Sequence, residues 1–396
     1  TTEDQTAVTV GTLEREEVID GRKYFYYKTD QKIKRVFPIM SAEYSVATAS
    51  HNGIELKIFH APHHNKDNEH VFSALKSGLD YFQENFVPYT FKDFKIAELP
   101  YFSSEQSFGA AFPGMYGGVE NRFFNLNIEG EKRNPALSGV IHEFSHQYWG
   151  GYIIPNDVGG STMLTEVLAK YSELVIQEKL FGKYSNNKDL NQALGIYLRN
   201  RTRGENTEKP LSTIGFEPMI YYFKGLHSMT ALRELIGEKK TNQALRNLLL
   251  KYRYPNRPTS LDLINEYYLE SNISQHSIIA DLFTRIVFHD FKLDSAHVIE
   301  NGNGFTTEIN VTALKYVLNE VSNTEFSETI NDSIEIAFYS SFPQDENENM
   351  TYLKKVKLSK ENTRVSITSD HRPKYIQIDP NRYRIDRSLE DNLIEI

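Results

Sequence analysis

The sequence predicts an α+β protein in which a mainly helical middle region lies between two strand-rich regions. Near the start, apolar and polar residues alternate in 54–60, and near the end they alternate in 334–338, a spacing typical of strands. From 134 to 290 the apolar residues instead recur at helical spacing. We therefore expect a strand-rich N-terminal region, a helical middle region and a C-terminal β-sandwich.

Length and composition limit the class of protein. The chain has 396 residues, is 39% hydrophobic and carries 44 Lys and Arg against 53 Asp and Glu. This length suggests more than one domain, and the apolar content is sufficient for folding. The acidic balance argues against a nucleic-acid partner. The chain has no cysteine, so any metal must be bound by His, Asp or Glu. No apolar run of about 18 residues is present, which argues against membrane insertion by this chain.

Two successive helices of the middle region hold the residues of greatest chemical interest. The first is predicted over 134–149, between a start signal at Asn134-Pro135 and a stop signal at Gly150-Gly151. The second is predicted over 161–182. A further helix is predicted over 275–289, just before the final strands.

The segment His142-Glu143-Phe144-Ser145-His146 lies on the first of these helices. Residues four apart share a helix face, so both imidazoles can reach one cation, and Glu143 lies beside that cation as a general base. The pattern predicts one zinc ion per chain. The competing interpretation is a surface helix with two solvated histidines.

A third metal ligand can come from the second helix. A catalytic zinc commonly takes a carboxylate as third protein ligand, and Glu166 can supply it. Glu173 is seven residues further along and shares its face, so it can hydrogen-bond a ligand histidine and fix the ring. The alternative for Glu173 is a solvated helix glutamate.

Taken together, these two helices resemble the gluzincin metallopeptidases, and specifically the M1 family of zinc aminopeptidases, relatives of aminopeptidase N and leukotriene hydrolase. Two further segments agree with this resemblance. Gly117-Gly118-Val119-Glu120-Asn121 resembles the GxMEN exopeptidase motif of the family, and Tyr222-Phe223-Lys224-Gly225 resembles its YxKG motif.

The resemblance also implies a domain arrangement. On this resemblance, residues 67–290 correspond to a thermolysin-like catalytic domain, flanked by the end of an N-terminal β-sheet domain (1–66) and by a small β-sandwich (291–396). The sequence lacks most of the family's N-terminal domain and its C-terminal helical domain, which suggests a piece of a larger multidomain or membrane-anchored protein. Nineteen residues separate His146 from Glu166, one more than is usual in the family. This predicts a one-residue bulge in the 152–163 connection, absorbed by Gly159-Gly160.

The resemblance assigns roles to the remaining residues. Tyr222 would stabilise the oxyanion of the transition state, with the neighbouring Tyr221 as its rival. Glu120 would pair with the α-ammonium of a peptide that has a free N-terminus. Gly117, Gly118 and Asn121 would complete the substrate site, the glycines pairing with the peptide like an edge strand. The alternative for this segment is a Gly-Gly turn with a surface glutamate.

Three functions remain open at this point. The first is a zinc aminopeptidase acting on peptides with a free N-terminus. The second is a zinc endopeptidase or epoxide hydrolase that keeps the metal chemistry without the amine anchor. The third is a weakly active peptide-binding or regulatory domain. The histidines His60, His63, His64 and His70 are interpreted as a polar loop after a strand, because no carboxylate accompanies them in a matching pattern.

Overall fold

The computed structural model describes residues 1–102, 109–124, 135–182, 187–201, 208–302, 304–343 and 349–396. The chain divides into two compact units. The first consists of Thr1–Asp157, Leu164–Gly182 and Asn242–Thr259, and the second of Val158–Met163, Lys183–Thr241 and Ser260–Ile396. The three-segment division expected from the sequence stays a prediction.

The first unit combines sheets with a group of helices. Its strands are β1 (Thr6–Thr9), β2 (Thr12–Ile19), β3 (Arg22–Lys28), β4 (Ile39–Ala42), β5 (Ser45–His51), β6 (Ile54–His60), β7 (Asp93–Leu99), β8 (Gly109–Phe112) and β9 (Met115–Val119). Its helices are α1 (Asn68–Asn85), α2 (Glu120–Phe123), α3 (Pro135–Ser145) and α4 (Leu168–Phe181), the last preceded by a π-helical turn (Met163–Val167). The largest sheet has the order β5-β6-β7-β9-β8.

An aromatic core fixes α3 in the first unit. Phe144, between the two histidines of the motif, is fully buried and meets Phe82 of α1 and Phe94 of β7 edge to face. Tyr148 stacks on Phe82 with ring centroids 4.1 Å apart. Such packing secures the apolar face of α3, so the orientation of its polar face is also determined.

The second unit contains helices and the C-terminal strands. Its helices are α5 (Asn187–Asn200), α6 (Pro218–Tyr221), α7 (Phe223–Ile236), α9 (Ser260–Leu269) and α10 (His276–Phe283), while α8 (Glu238–Lys251) has residues in both units. Its strands are β10 (Ile286–Asn301), β11 (Gly304–Asn319), β12 (Thr324–Glu328), β13 (Asp332–Tyr339), β14 (Met350–Leu358), β15 (Asn362–Ser369), β16 (Tyr375–Ile378) and β17 (Leu393–Glu395).

The C-terminal strands form the β-sandwich that the sequence predicts. One sheet joins β10, β11, β12 and β15, and the other has the order β14-β13-β16-β17. Their inner faces contribute one common core, which includes Phe291, Ile309, Ile336, Ile367 and Ile378. Alternating residues of both sheets therefore bury each other, as in a two-layer packing. The α+β fold class is confirmed.

Two helix predictions need correction. The helix predicted over 134–149 is α3, which ends at Ser145 because the next turn tightens, with the N–H of Gln147 bonded to the carbonyl of Phe144. Asn134, its predicted cap, lies outside the described residues. The helix predicted over 275–289 ends at Phe283, because the residues from Ile286 onward pair with β11. In the part of the chain that the structure describes, no helix is both long and apolar enough to cross a lipid bilayer.

Candidate metal and peptide site

The two histidines of the motif meet at the end of α3. The amide of His146 hydrogen-bonds the carbonyl of His142 at 3.3 Å, so the helical spacing persists one residue beyond the helix. Their ring centroids lie 4.9 Å apart and the rings are nearly perpendicular, at 87°. Both side chains are largely buried, and each therefore offers one ring nitrogen to a shared, protected space.

Glu166 completes this group. Its Oε2 lies 3.4 Å from Nε2 of His142, and its Oε1 lies 3.7 Å from Nε2 of His146. Glu166 stands in the π-helical turn Met163–Val167, and such turns accommodate an extra residue and often occur at functional sites. The bulge expected at Gly159-Gly160 stays a prediction, and the π-helical turn is a second place at which the additional residue can be accommodated.

The spacing of these ligand atoms fits a tetrahedral zinc ion. Nitrogen and oxygen ligands about 2.0–2.2 Å from such an ion lie about 3.3–3.6 Å from one another. The Glu166 oxygens lie 3.4 and 3.7 Å from the two imidazole nitrogens, close to that range. One ligand atom from each of the three residues falls within 4.8 Å of the others. Two imidazoles and one carboxylate are also a donor set of catalytic zinc sites.

Contacts behind the histidines orient both rings. Nδ1 of His142 lies 3.4 Å from Oε2 of Glu173, and Nδ1 of His146 lies 3.0 Å from the carbonyl oxygen of Trp149. An Nδ1–H that donates backward leaves the Nε2 lone pair directed toward a metal. Glu173 is itself fixed, since Lys170 donates to it at 2.7 Å. Glu173 is thus a buried partner of His142 and not a solvated helix glutamate.

The charges of this group are strongly coupled. Burial lowers the pKa of His142, but its hydrogen bonds to Glu166 and Glu173 outweigh burial and raise the pKa to about 9. Burial and the neighbouring His142 lower the pKa of His146 to about 4. Burial raises the pKa of Glu173, yet Lys170 and His142 prevail and lower it to about 2. A divalent cation would displace the proton of His142, because ligand imidazoles are neutral.

Glu143 lies beside the group and is not part of it. Burial raises the pKa of Glu143 to about 7; the charge of Glu166 also raises it, while His142 and a hydrogen bond from the backbone of Ala111 act in the opposite direction. A carboxyl with a pKa close to neutral can both accept and return a proton near neutral pH. Ala111 belongs to β8, so the edge strand of the sheet runs next to this carboxyl.

The predicted edge role of Gly117 and Gly118 is wrong. Both lie in β9, which pairs with β7 on one side and with β8 on the other, so its backbone groups are already engaged. Among the residues that the structure describes, β8 is the last strand in the sheet order. Local packing favours glycine at position 118, because an added Cβ would come within 3.1–3.2 Å of the Tyr116 side chain.

Glu120 and Asn121 stand at the start of α2, directly after β9. Asn121 is exposed and Glu120 is half-buried. The amide of Tyr101 donates to Oε2 of Glu120 at 3.3 Å, and Nε2 of His64 lies 3.9 Å from its Oε1. Glu120 thus joins a second group with His64 and Glu98, separate from the three residues of the first.

This second group corrects the interpretation of the histidine-rich loop. Nδ1 of His64 lies 2.6 Å from Oε1 of the buried Glu98, so a carboxylate does accompany one of the four histidines. His60 instead faces the carbonyl of Ala61, and His63 and His70 are exposed. Glu98 is 34 residues from His64 and lies in the buried strand β7, so no local spacing pattern predicts the contact.

Tyr222 and Tyr221 belong to the second unit. The two helices α6 and α7 follow one another directly, and Tyr222 is the single residue between them. Tyr221 is buried and packs against Phe216, whereas Tyr222 is half-buried. Of the two phenols, Tyr222 is therefore the more accessible to a ligand.

Comparison with known proteins agrees with this chemistry. Residues 71–285, more than half of the chain, match the peptidase family M1 domain. The crystal structure of Legionella pneumophila aminopeptidase A in complex with aspartic acid has a similar fold, with a TM-score of 0.66 and 13% sequence identity. The match covers 97% of this chain and 43% of the Legionella chain. No curated protein sequence matches the chain. On the family match, the chain belongs to peptidase family M1.

Proposed function

We propose that this chain is a zinc-dependent aminopeptidase that hydrolyses the N-terminal bond of peptides. The observation that carries the proposal is the meeting of His142, His146 and Glu166, at distances suited to zinc, beside the carboxyl of Glu143. Membership of peptidase family M1 supports the reaction class. The Legionella structure of similar fold is described as an aminopeptidase, and on this likeness we propose that the present chain also removes N-terminal residues.

Zinc bound by His142, His146 and Glu166 would supply Lewis acidity, lowering the pKa of a water molecule and polarising the scissile carbonyl. Glu143, which lies beside these three residues, would take the proton from this water and return it to the leaving amine. The segment Tyr222-Phe223-Lys224-Gly225 resembles the YxKG motif of the family, and on this resemblance the phenol of Tyr222 would donate a hydrogen bond to the oxyanion of the substrate.

Two elements of the first unit would hold the peptide. β8 lies beside Glu143, and an extended substrate would lie along this strand. Glu120 would pair with the α-ammonium of the substrate, and this charge pair would penalise a blocked N-terminus. Asn121 is exposed next to Glu120 and would add a second polar side chain to the substrate site.

A zinc endopeptidase is the second candidate. It is favoured by the position of β8, because an edge strand next to Glu143 would bind an internal stretch of peptide equally well. The amine anchor then decides between the two functions, and it rests on Glu120 alone.

The test is release of a fluorophore from a panel of aminoacyl amides, compared with the same amides after N-acetylation. We expect free amines to be cleaved, a chelator to abolish cleavage and zinc to restore it. Glu120→Gln should raise KM for free amines by about ten-fold or more and leave acetylated substrates unchanged. Equal cleavage of free and acetylated substrates by the unmutated protein would contradict the aminopeptidase proposal and support the endopeptidase.

A further inference from the structure

The group formed by Glu98, His64 and Glu120 connects a buried strand to the predicted amine anchor. Glu98 lies in β7 and is 7% exposed. Its Oε1 is 2.6 Å from Nδ1 of His64, and its Oε2 accepts the N–H of Ala61 at 2.7 Å. The two oxygens of Glu98 thus bind both ends of the turn Ala61–His64, which follows β6.

The same turn is also closed through its backbone. The N–H of His64 donates to the carbonyl of Ala61 at 2.9 Å. The backbone carbonyl of Glu98 accepts the Tyr44 hydroxyl at 2.7 Å, which fixes β7 at this residue. With its backbone and Nδ1 both bound, the ring of His64 has one preferred orientation.

In this orientation the other nitrogen faces the amine anchor. Nε2 of His64 lies 3.9 Å from Oε1 of Glu120, so a shift of about 1 Å brings the two atoms within hydrogen-bond distance. Oε2 of Glu120 already accepts the Tyr101 amide. With Nδ1 toward Glu98 and Nε2 toward Glu120, the ring of His64 lies between the two carboxylates.

The spacing of this group differs from that of metal ligands. A hydrogen-bond distance of 2.6 Å between Nδ1 of His64 and Oε1 of Glu98 is shorter than the separation of about 3.3 Å between two ligands of one tetrahedral ion. The second oxygen of Glu98 is engaged with the backbone. Glu98 and His64 are therefore spaced as hydrogen-bond partners, and the second nitrogen of His64 faces Glu120.

We propose that Glu98 and His64 are positioning residues for Glu120, which orient its carboxylate toward the α-ammonium of the substrate. This inference rests on the proposed aminopeptidase function. His64 acts through Glu120 and not on the reacting atoms, so its loss should weaken binding of free-amine substrates and leave the chemical step intact.

Two substitutions separate the contacts of His64. In His64→Asn the amide nitrogen can replace Nδ1 toward Glu98, but nothing reaches Glu120. In His64→Gln the amide extends toward the position of Nε2. We expect His64→Asn to raise KM for an aminoacyl amide about ten-fold, with kcat within about two-fold of the unmutated protein. His64→Gln should restore part of this loss. His63→Asn, an exposed neighbour, is the matched control and should change neither constant.

A double-mutant cycle tests the connection directly. Once Glu120→Gln has removed the anchor, adding His64→Asn should change KM little further, since both variants disrupt one interaction. A full additional ten-fold loss, an unchanged KM in His64→Asn, or a parallel fall in kcat would overturn the positioning role. So would a second bound metal ion that His64→Asn removes. If Glu120→Gln itself has no effect on KM, the proposed amine anchor fails, and that result is distinct from failure of His64 alone.

Discussion

The first unit contains two groups of histidine and glutamate residues that differ in what their atoms face. In the group of His142, His146 and Glu166, both Nε2 atoms approach the same carboxylate at 3.4 and 3.7 Å, and both Nδ1 atoms have partners behind them. In the group of His64, Glu98 and Glu120, the ring lies between two carboxylates.

Residue type alone therefore does not distinguish a candidate metal site from a hydrogen-bonded cluster. A metal site needs lone pairs that converge on one empty volume at ligand spacing, with the opposite ring nitrogens bound elsewhere. A positioning cluster needs donors and acceptors in line at hydrogen-bond distance.

Removing a ligand from the first group should remove the metal. His146→Ala leaves two ligands, so we expect zinc to be lost and kcat/KM to fall by at least about 10³. Metal analysis of the purified protein measures the first effect and the aminoacyl amide assay the second. The matched variant in the second group, His64→Ala, should retain one zinc ion per chain. Zinc retained in His146→Ala would exclude this residue as a ligand.

Glu143→Gln separates the base from the ligands. The carboxylate is lost but the side chain keeps its size, so zinc should stay bound while kcat falls by roughly 10²–10⁴. Metal content and kcat are measured on the same preparation. Loss of zinc together with activity would mean that Glu143 is needed to hold the ion.

Tyr222→Phe removes one hydroxyl. If this hydroxyl serves the oxyanion, kcat should fall by about 10²–10³ while KM changes little. Tyr221→Phe, at the buried neighbour, is the control and should keep most of its activity. The opposite result, with Tyr221→Phe inactive and Tyr222→Phe active, would assign the role to the other tyrosine.

Glu173→Gln tests the contact behind His142. The neutral amide supports the ring less well than the carboxylate, so zinc affinity should fall by about 10–100-fold. Competition with a chelator of known affinity measures this change. Glu98→Gln, the corresponding change behind His64, should leave zinc affinity unaltered. Equal losses in both variants would indicate a general destabilisation of the unit.

Much of the metal group could be predicted from sequence. The i, i+4 spacing of His142 and His146 depends only on local helix geometry, and the structure brings Glu166 to them as predicted. The π-helical turn could not be predicted, because apolar spacing does not distinguish a wider turn from a loop bulge.

Contacts between segments that are distant in sequence could not be predicted from the sequence. The pairing of β8 with β9 places Gly117 and Gly118 inside the sheet, and only the register of three strands reveals this. In the same way, His64 meets Glu98 because β6 and β7 are parallel neighbours. The helix predicted over 275–289 failed where Ile286 begins a strand, because short apolar runs suit either structure.

The most direct test of the central claim is a zinc titration of chelator-treated protein, followed by release of the N-terminal residue from a free peptide. We predict that activity returns in proportion to added zinc and reaches its maximum at one ion per chain, in the unmutated protein and in His64→Asn alike. A maximum at two ions per chain, or no activity at any zinc concentration, would contradict a single catalytic zinc ion bound by His142, His146 and Glu166.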